Sequence, residues 1–341
     1  MRRGAPHIFS EMEGIMRKEQ RNIDIGRTVF ACALTLLLTR PVSQLAVKVF
    51  SDPLAASFLI YWETGRVVRL ETPQMMPTEQ PPPATTTQPP KQPVFLDVRD
   101  VDLVKTSNYT DYDPDIETLL TAPLPWDLTE GGPAVLIVHT HATESYMGTD
   151  SYRTEDPNYN MLRVGEEIAK VLEENGIEVI HDTTLHDEPS YNNAYIYARE
   201  TIEARLEEYP SIRMVVDVHR DAFDMTEEVQ LSTHAAVDGQ DSSQLMLVMG
   251  TDAGNRYHPN WQENLAVAVK LQVLLEGKYP GICRRMQLRT ERFNQDLSPA
   301  GMILEVGAAG DTLEQALVAA RAFAEAVVTL SQGVVTADST S

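Results

Sequence analysis

Three short apolar runs in the second half of the chain each stop on residues that a hydrophobic core rejects. AVLIV (134–138) runs into His139, His141 and Glu144, MVVDV (214–218) runs into His219, Arg220 and Asp221, and GMILEVG (301–307) carries Glu305 near its end. Runs this short and this apolar suit strands buried on both faces. Two segments with helical spacing lie between the first two runs. They are MLRVGEEIAKVLEEN (161–175), closed by Gly176, and NNAYIYARETIEARLEEY (192–209), with the strand IEVIH (177–181) separating them. Strand, helix, strand, helix, strand is the βαβ order, whose crossovers make neighbouring strands parallel. The predicted fold class is therefore α/β, a mostly parallel sheet with helices on both faces. Polar groups that end such strands meet over one crevice beyond the carboxyl edge.

The remaining elements follow the same logic. The spacing predicts a hairpin of 229–237 with 243–249 across Asp238-Gly239, a helix over 260–277, strands at 285–290 and 301–306, and a last helix from Thr312 to Leu330. Asp311 with Glu314 reads as a capping box for that helix, and residues 331–341 as a loose tail.

The chain has 341 residues and is 43% hydrophobic, enough for a substantial core. Its net charge of −22 disfavours nucleic acid as a partner, because phosphate contacts draw on surplus Lys and Arg. The start is different: residues 1–40 hold seven Lys/Arg against four Asp/Glu, and VFACALTLLL (29–38) is uncharged and apolar. A basic segment ahead of an apolar one predicts a membrane anchor with the basic side inside and the rest exported. Residues 72–93 place eight prolines in 22 positions, the composition of an extended tether. The expected organisation is a basic cytoplasmic segment (1–27), anchor (28–50), juxtamembrane segment (51–71), Pro-rich linker (72–95), catalytic domain (96–333) and tail (334–341). Two cysteines, Cys32 and Cys283, supply no disulfide framework and no metal-site spacing.

Imidazoles and carboxylates gathered at strand ends point to a zinc hydrolase, which takes His and Asp/Glu ligands, keeps an open position for water, and needs a carboxylate base beside it. No H-E-x-x-H, G-x-S-x-G or P-loop motif is present. The segments HTHATESY (139–146), NYNMLRVGEEIAKVL (158–172), HDTTLHDEPSYNNAY (181–195), DVHRDA (217–222), HPNWQENLAVA (258–268), YPGI (279–282) and RFNQDLSPAGMILEVG (292–307) resemble the stage II sporulation protein P family, in order and over about 130–330. The resemblance implies a membrane-anchored, zinc-dependent peptidoglycan hydrolase with an amidase-like fold. Its reaction is cleavage of the amide between N-acetylmuramic acid and L-alanine. Its setting is engulfment, in the space between mother cell and forespore, beside the lytic transglycosylase stage II sporulation protein D and other engulfment proteins.

Matching the related amidase motifs puts His141 and His219 at metal-ligand positions and Glu305 at the catalytic position. The usual carboxylate-ligand position holds Asn158 and Asn160 here. Glu144, three residues after His141, is the first choice for that ligand, ahead of Glu155 and Glu167. His139, Arg220, Asp221, Asn294 and Gln295 are the polar residues expected along the substrate. Glu305 paired with Arg220 or Arg292 is the structural alternative for that carboxylate. His181, His186 and His258 are expected to be structural. Two other readings stand beside the amidase: peptidoglycan endopeptidase chemistry in the same site, and a non-catalytic membrane-tethered scaffold that binds the wall.

Overall fold

The computed structural model describes residues 94–96, 98–124, 126–129, 131–149, 152–222 and 230–336, all within the unit Gln88–Ser341. The predicted anchor and nearly all of the predicted linker lie outside the described residues. No described helix is long and apolar enough to cross a membrane.

In chain order the elements are β1 (Val94–Leu96), β2 (Thr106–Asn108), α1 (Ile116–Thr121), β3 (Val135–Val138), α2 (Met161–Glu174), β4 (Val179–His181), α3 (Ala194–Glu208) and β5 (Met214–Asp221). There follow β6 (Ala235–Val237), β7 (Gln240–Ser242), β8 (Leu245–Gly250), α4 (Trp261–Lys278), β9 (Met286–Arg289), β10 (Gly301–Ala308), α5 (Leu313–Ser331) and β11 (Val334–Thr336). Seven strands form one sheet in the order β2-β9-β8-β10-β5-β3-β4. Every neighbouring pair is parallel except β8 with β10. The sheet is thus two parallel blocks running in opposite directions, and β5, β10 and β3 deliver their carboxyl ends to the same edge.

One face of the sheet is covered by α2, α4 and α5. Residues 161–174 form a helix because Met161, Val164, Ile168 and Leu172 recur on one stripe, and the side chain of Asn160 caps its first turn by accepting from the Leu162 amide. That stripe packs with Phe323 and Val327 of α5 and Leu265 and Val269 of α4 against Val216, Val218, Leu304 and Val306. Each fully buried side chain of this size contributes about 1.5–3 kcal/mol relative to exposure. On the opposite face α3 covers β3 and β5, where Ile202 meets Leu136, Val138 and Val215. Beyond it Met246, Val248 and Ile303 have Tyr195 and Phe293 as their hydrophobic neighbours among the described residues, so aromatic rings wall this half of the face.

Three local expectations change. The hairpin across Asp238-Gly239 exists, but it consists of β6 and β7 alone; both turn residues take positive φ, the signature of a two-residue type I′ turn. Residues 245–250 leave it and join β10 antiparallel, because every residue of β8 is buried and such a strand needs a partner on each side. The capping box of α5 is Thr312 with Gln315, not Asp311 with Glu314. Asp311 instead accepts from the Thr233 amide and hydroxyl and the Ala308 amide. Residues 334–336, expected to be part of the tail, form the strand β11, parallel to β1 with Val94 opposite Val334.

Candidate active site at the carboxyl edge of the sheet

Glu305 stands in register with His219 across the parallel β10–β5 pair, which puts both side chains on the same face. Asp217, two residues before His219, shares that face. After β3 the chain turns sharply, the Glu144 amide donating to the His141 carbonyl at 3.1 Å. The turn brings Glu144 Oε2 to 3.6 Å from His219 Nδ1, and the same oxygen accepts from the Arg220 amide at 3.2 Å. The rings of His141 and His219 meet edge to face, their centroids 5.5 Å apart. Tyr191 stacks on His141 at 4.0 Å, Arg153 lies 4.8 Å over Tyr191, and Tyr195 approaches His141 edge-on at 5.7 Å.

Asp217 is the anchor of this constellation. Its carboxylate accepts from the amide and hydroxyl of Thr140 at 2.7 and 2.6 Å. His219 Nε2 lies 3.0 Å from its Oδ1, but off the N–H line, so the contact is electrostatic and the nitrogen has no hydrogen-bond partner. Burial alone would raise the Asp217 pKa; the His219 charge and the hydrogen bonds from Thr140 outweigh it and hold the carboxyl at about 2. Burial likewise disfavours a charged His219, yet Asp217 and Glu144 raise its pKa well above the ordinary imidazole value. His141 is pushed down, first by burial and then by the His219 charge. Glu305 goes up to about 8: burial is the main cause, and Glu144 and Asp221 add to it against the opposing effect of His219. Buried and without a hydrogen-bond partner are His141 Nδ1 and Glu305 Oε2 as well. Groups at a strand edge with no internal use for their polarity are the mark of a site built for something else.

Of the residues singled out from sequence, His141, Glu144, His219 and Glu305 come together here. Asp221 lies nearby, bonded to Arg284 Nη1 at 2.6 Å. Of the other candidates Arg220 touches the cluster through Glu144, and His139, Gln295 and Asn294 are held away from it. His139 points to the opposite face, fully buried beneath α2, with Nδ1 on the Val218 carbonyl and Nε2 on His181 Nε2 at 2.9 Å. Gly165 makes that approach possible, since a Cβ there would sit 2.6 Å from both imidazole nitrogens. The Arg220 guanidinium donates to the carbonyls of Ser145 and Tyr152, and its Nη1 lies 3.9 Å from Glu144 Oε1. Gln295 is buried and bridges the Gly250 amide and Val248 carbonyl. Asn294 takes a left-handed turn conformation and donates to the Tyr195 carbonyl. The second and third choices for the carboxylate ligand are elsewhere: Glu155 is exposed, and Glu167 is held by Arg163 and Arg321. Asp217, Tyr191 and Tyr195 were not singled out. Asp217 alternates with valines inside a strand, which disguises it, and the tyrosines arrive by tertiary packing, Tyr191 from the turn before α3 and Tyr195 from its first turn.

A cavity of about 540 Å³ adjoins Glu305, lined among others by Tyr195, Met246, Val248, Phe293 and Ile303. The profile of the stage II sporulation protein P family matches residues 63–328. The chain belongs to that family. Stage II sporulation protein P of Bacillus subtilis is 27% identical over 217 residues, which is 59% of this chain and 52% of that protein. The chain thus matches about half the length of this curated relative. Similar solved structures include the N-acetylmuramoyl-L-alanine amidase AmiC2 of Nostoc punctiforme, at 12% identity, 59% of this chain, 98% of that one and a TM-score of 0.39. Another is the CwlD amidase of Clostridioides difficile, solved in complex with the GerS lipoprotein, at 15% identity, 58% and 95% coverage and a TM-score of 0.36.

Proposed function

We propose that this family member is a zinc-dependent peptidoglycan hydrolase that cleaves the amide joining N-acetylmuramic acid to L-alanine. The observation that carries the reading is the gathering, at one sheet edge, of two imidazoles and two carboxylates that include the unpartnered buried atoms His141 Nδ1 and Glu305 Oε2. Among the described residues no group of three His, Cys, Asp or Glu side chains closes into a metal-sized cage. The donor set nevertheless fits zinc, since two histidines and one carboxylate with an open position are its usual hydrolytic ligands. His141, His219 and Glu144 would hold the ion, with Asp217 orienting the His219 ring from behind. Zinc bound there supplies polarisation of the scissile carbonyl and activation of the attacking water.

The chain's own residues do the rest. Glu305 takes the water proton on its unpartnered Oε2 and returns it to the departing L-alanine nitrogen. The Tyr195 and Phe293 rings wall the cleft and exclude bulk water, which strengthens every charge interaction inside it. Residues 28–50 anchor the chain so that this domain acts outside the cytoplasm during engulfment, alongside stage II sporulation protein D. Endopeptidase cleavage in the stem is the same chemistry on another amide. Digesting purified peptidoglycan with the full chain, with and without chelator, and identifying released ends by mass spectrometry tests the reading. Free L-alanine amino termini that vanish with chelator are expected. Release of other ends alone, or none at all, would overturn it.

A further inference from the structure

The cavity beside Glu305 does not end at the metal-binding cluster. Glu305 of β10 lies opposite Met246 of β8, and Gly250 of β8 lies opposite Arg289 of β9. Two strand spacings across and four residues along put Arg289 about 16 Å from Glu305 down the same face of the sheet. Val248 and Ile303, paired with each other, floor the interval, and Tyr195 and Phe293 pack against them. At the far end the Arg289 guanidinium lies 5.4 Å over the ring of Tyr109, and its Nε is 3.3 Å from Glu291 Oε2. Arg289, Glu291 and Tyr109 all line the cavity, and none is needed for the chemistry proposed at Glu305.

We infer that this groove is the subsite for the peptide stem, and that Arg289 with Glu291 selects a third stem residue whose side chain ends in both an amine and a carboxylate. The assignment rests on the hydrolase reading only in placing the L-alanine nitrogen at Glu305. An extended three-residue peptide spans about 10 Å, and the long side chain of its third residue would cover the remaining distance to the guanidinium. The apolar floor suits the methyl and methylene groups of such a peptide. At its end, one positive and one negative group side by side complement a carbon that carries a carboxylate and an ammonium. The guanidinium is pre-oriented by the Tyr109 ring and by the Gln287 side chain, to which Nη1 donates at 3.1 Å.

The test is titration calorimetry of the full chain with two synthetic peptides, L-alanyl-γ-D-glutamyl-meso-diaminopimelate and its L-lysine counterpart, which differ by that one carboxylate. A charge-assisted bond at a half-open site is expected to favour the diaminopimelate peptide roughly tenfold. Arg289→Gln should bring its affinity down to that of the lysine peptide while leaving the latter unchanged, with an unaltered melting temperature as the check on folding. Equal binding of the two peptides by the unmodified chain, binding of neither, or a preference that survives Arg289→Gln would each overturn the inference. Binding is read without turnover, so the two proposals fail separately. A preference without hydrolysis keeps the subsite and removes the hydrolase; hydrolysis without a preference does the reverse.

Discussion

Burial and the neighbouring carboxylates Glu144 and Asp221 push the Glu305 carboxyl up to about 8 in the metal-free fold, from an ordinary value of 4.5. The sign of its effect on stability follows. Below pH 4.5 the group is protonated folded and unfolded; between there and pH 8 the folded state holds the extra proton, so stability is lost as pH rises through that window. Glu305→Gln removes the titration. In chelator, urea unfolding should show the variant gaining on the unmodified protein from pH 5 to pH 8, by at most about 1.4 kcal/mol per pH unit. A difference that stays flat over that range would mean the carboxyl is solvated or paired. At this scale the sequence was readable where a residue broke its surroundings, as His219 does after a valine-rich run and Glu305 does inside an apolar one. It was unreadable where function and packing look alike. His139 and His141 flank one threonine, a spacing that continued strand alternation would put on one face, and only the turn that follows β3 separates the buried one from the one in the cleft.

At the scale of elements, helical spacing in residues 161–175 and 192–209 and the valine-rich strand runs were enough to fix which segments cross over and which strands lie parallel. Direction was not legible for β8: a continuous apolar run carries no sign of which way it runs, and its antiparallel place beside β10 depends on the short β6–β7 hairpin that precedes it. The approach of α2 to the sheet hangs on Gly165. An alanine Cβ there would meet His139 Nε2 and His181 Nε2 at 2.6 Å, and His139 is pinned by the Val218 carbonyl and has no space to retreat. Alanine's better helix propensity, about 1 kcal/mol, offsets part of this. Gly165→Ala is expected to destabilise by about 1–3 kcal/mol through overpacking, a loss of several degrees in melting temperature. An unchanged or higher melting point would show that the helix shifts without cost and that the contact is loose.

Across the whole molecule, the predicted mostly parallel α/β sheet agrees with the described residues, while the anchor, the cytoplasmic segment and nearly all of the proline-rich stretch fall outside them. The closing β1–β11 pair was missed because strands this short, flanked by a linker and a tail, have no periodicity to read. What unites the scales is the claim that the sheet delivers ligands and base to one edge as separable parts: His141, His219 and Glu144 for the metal, Glu305 for the proton. Zinc content and peptidoglycan hydrolysis measured together on Glu305→Gln address it directly. The account predicts one zinc per chain, as in the unmodified protein, with release of L-alanine amino termini reduced about 10²–10⁴-fold. Near-normal release by a zinc-loaded Glu305→Gln chain would contradict it.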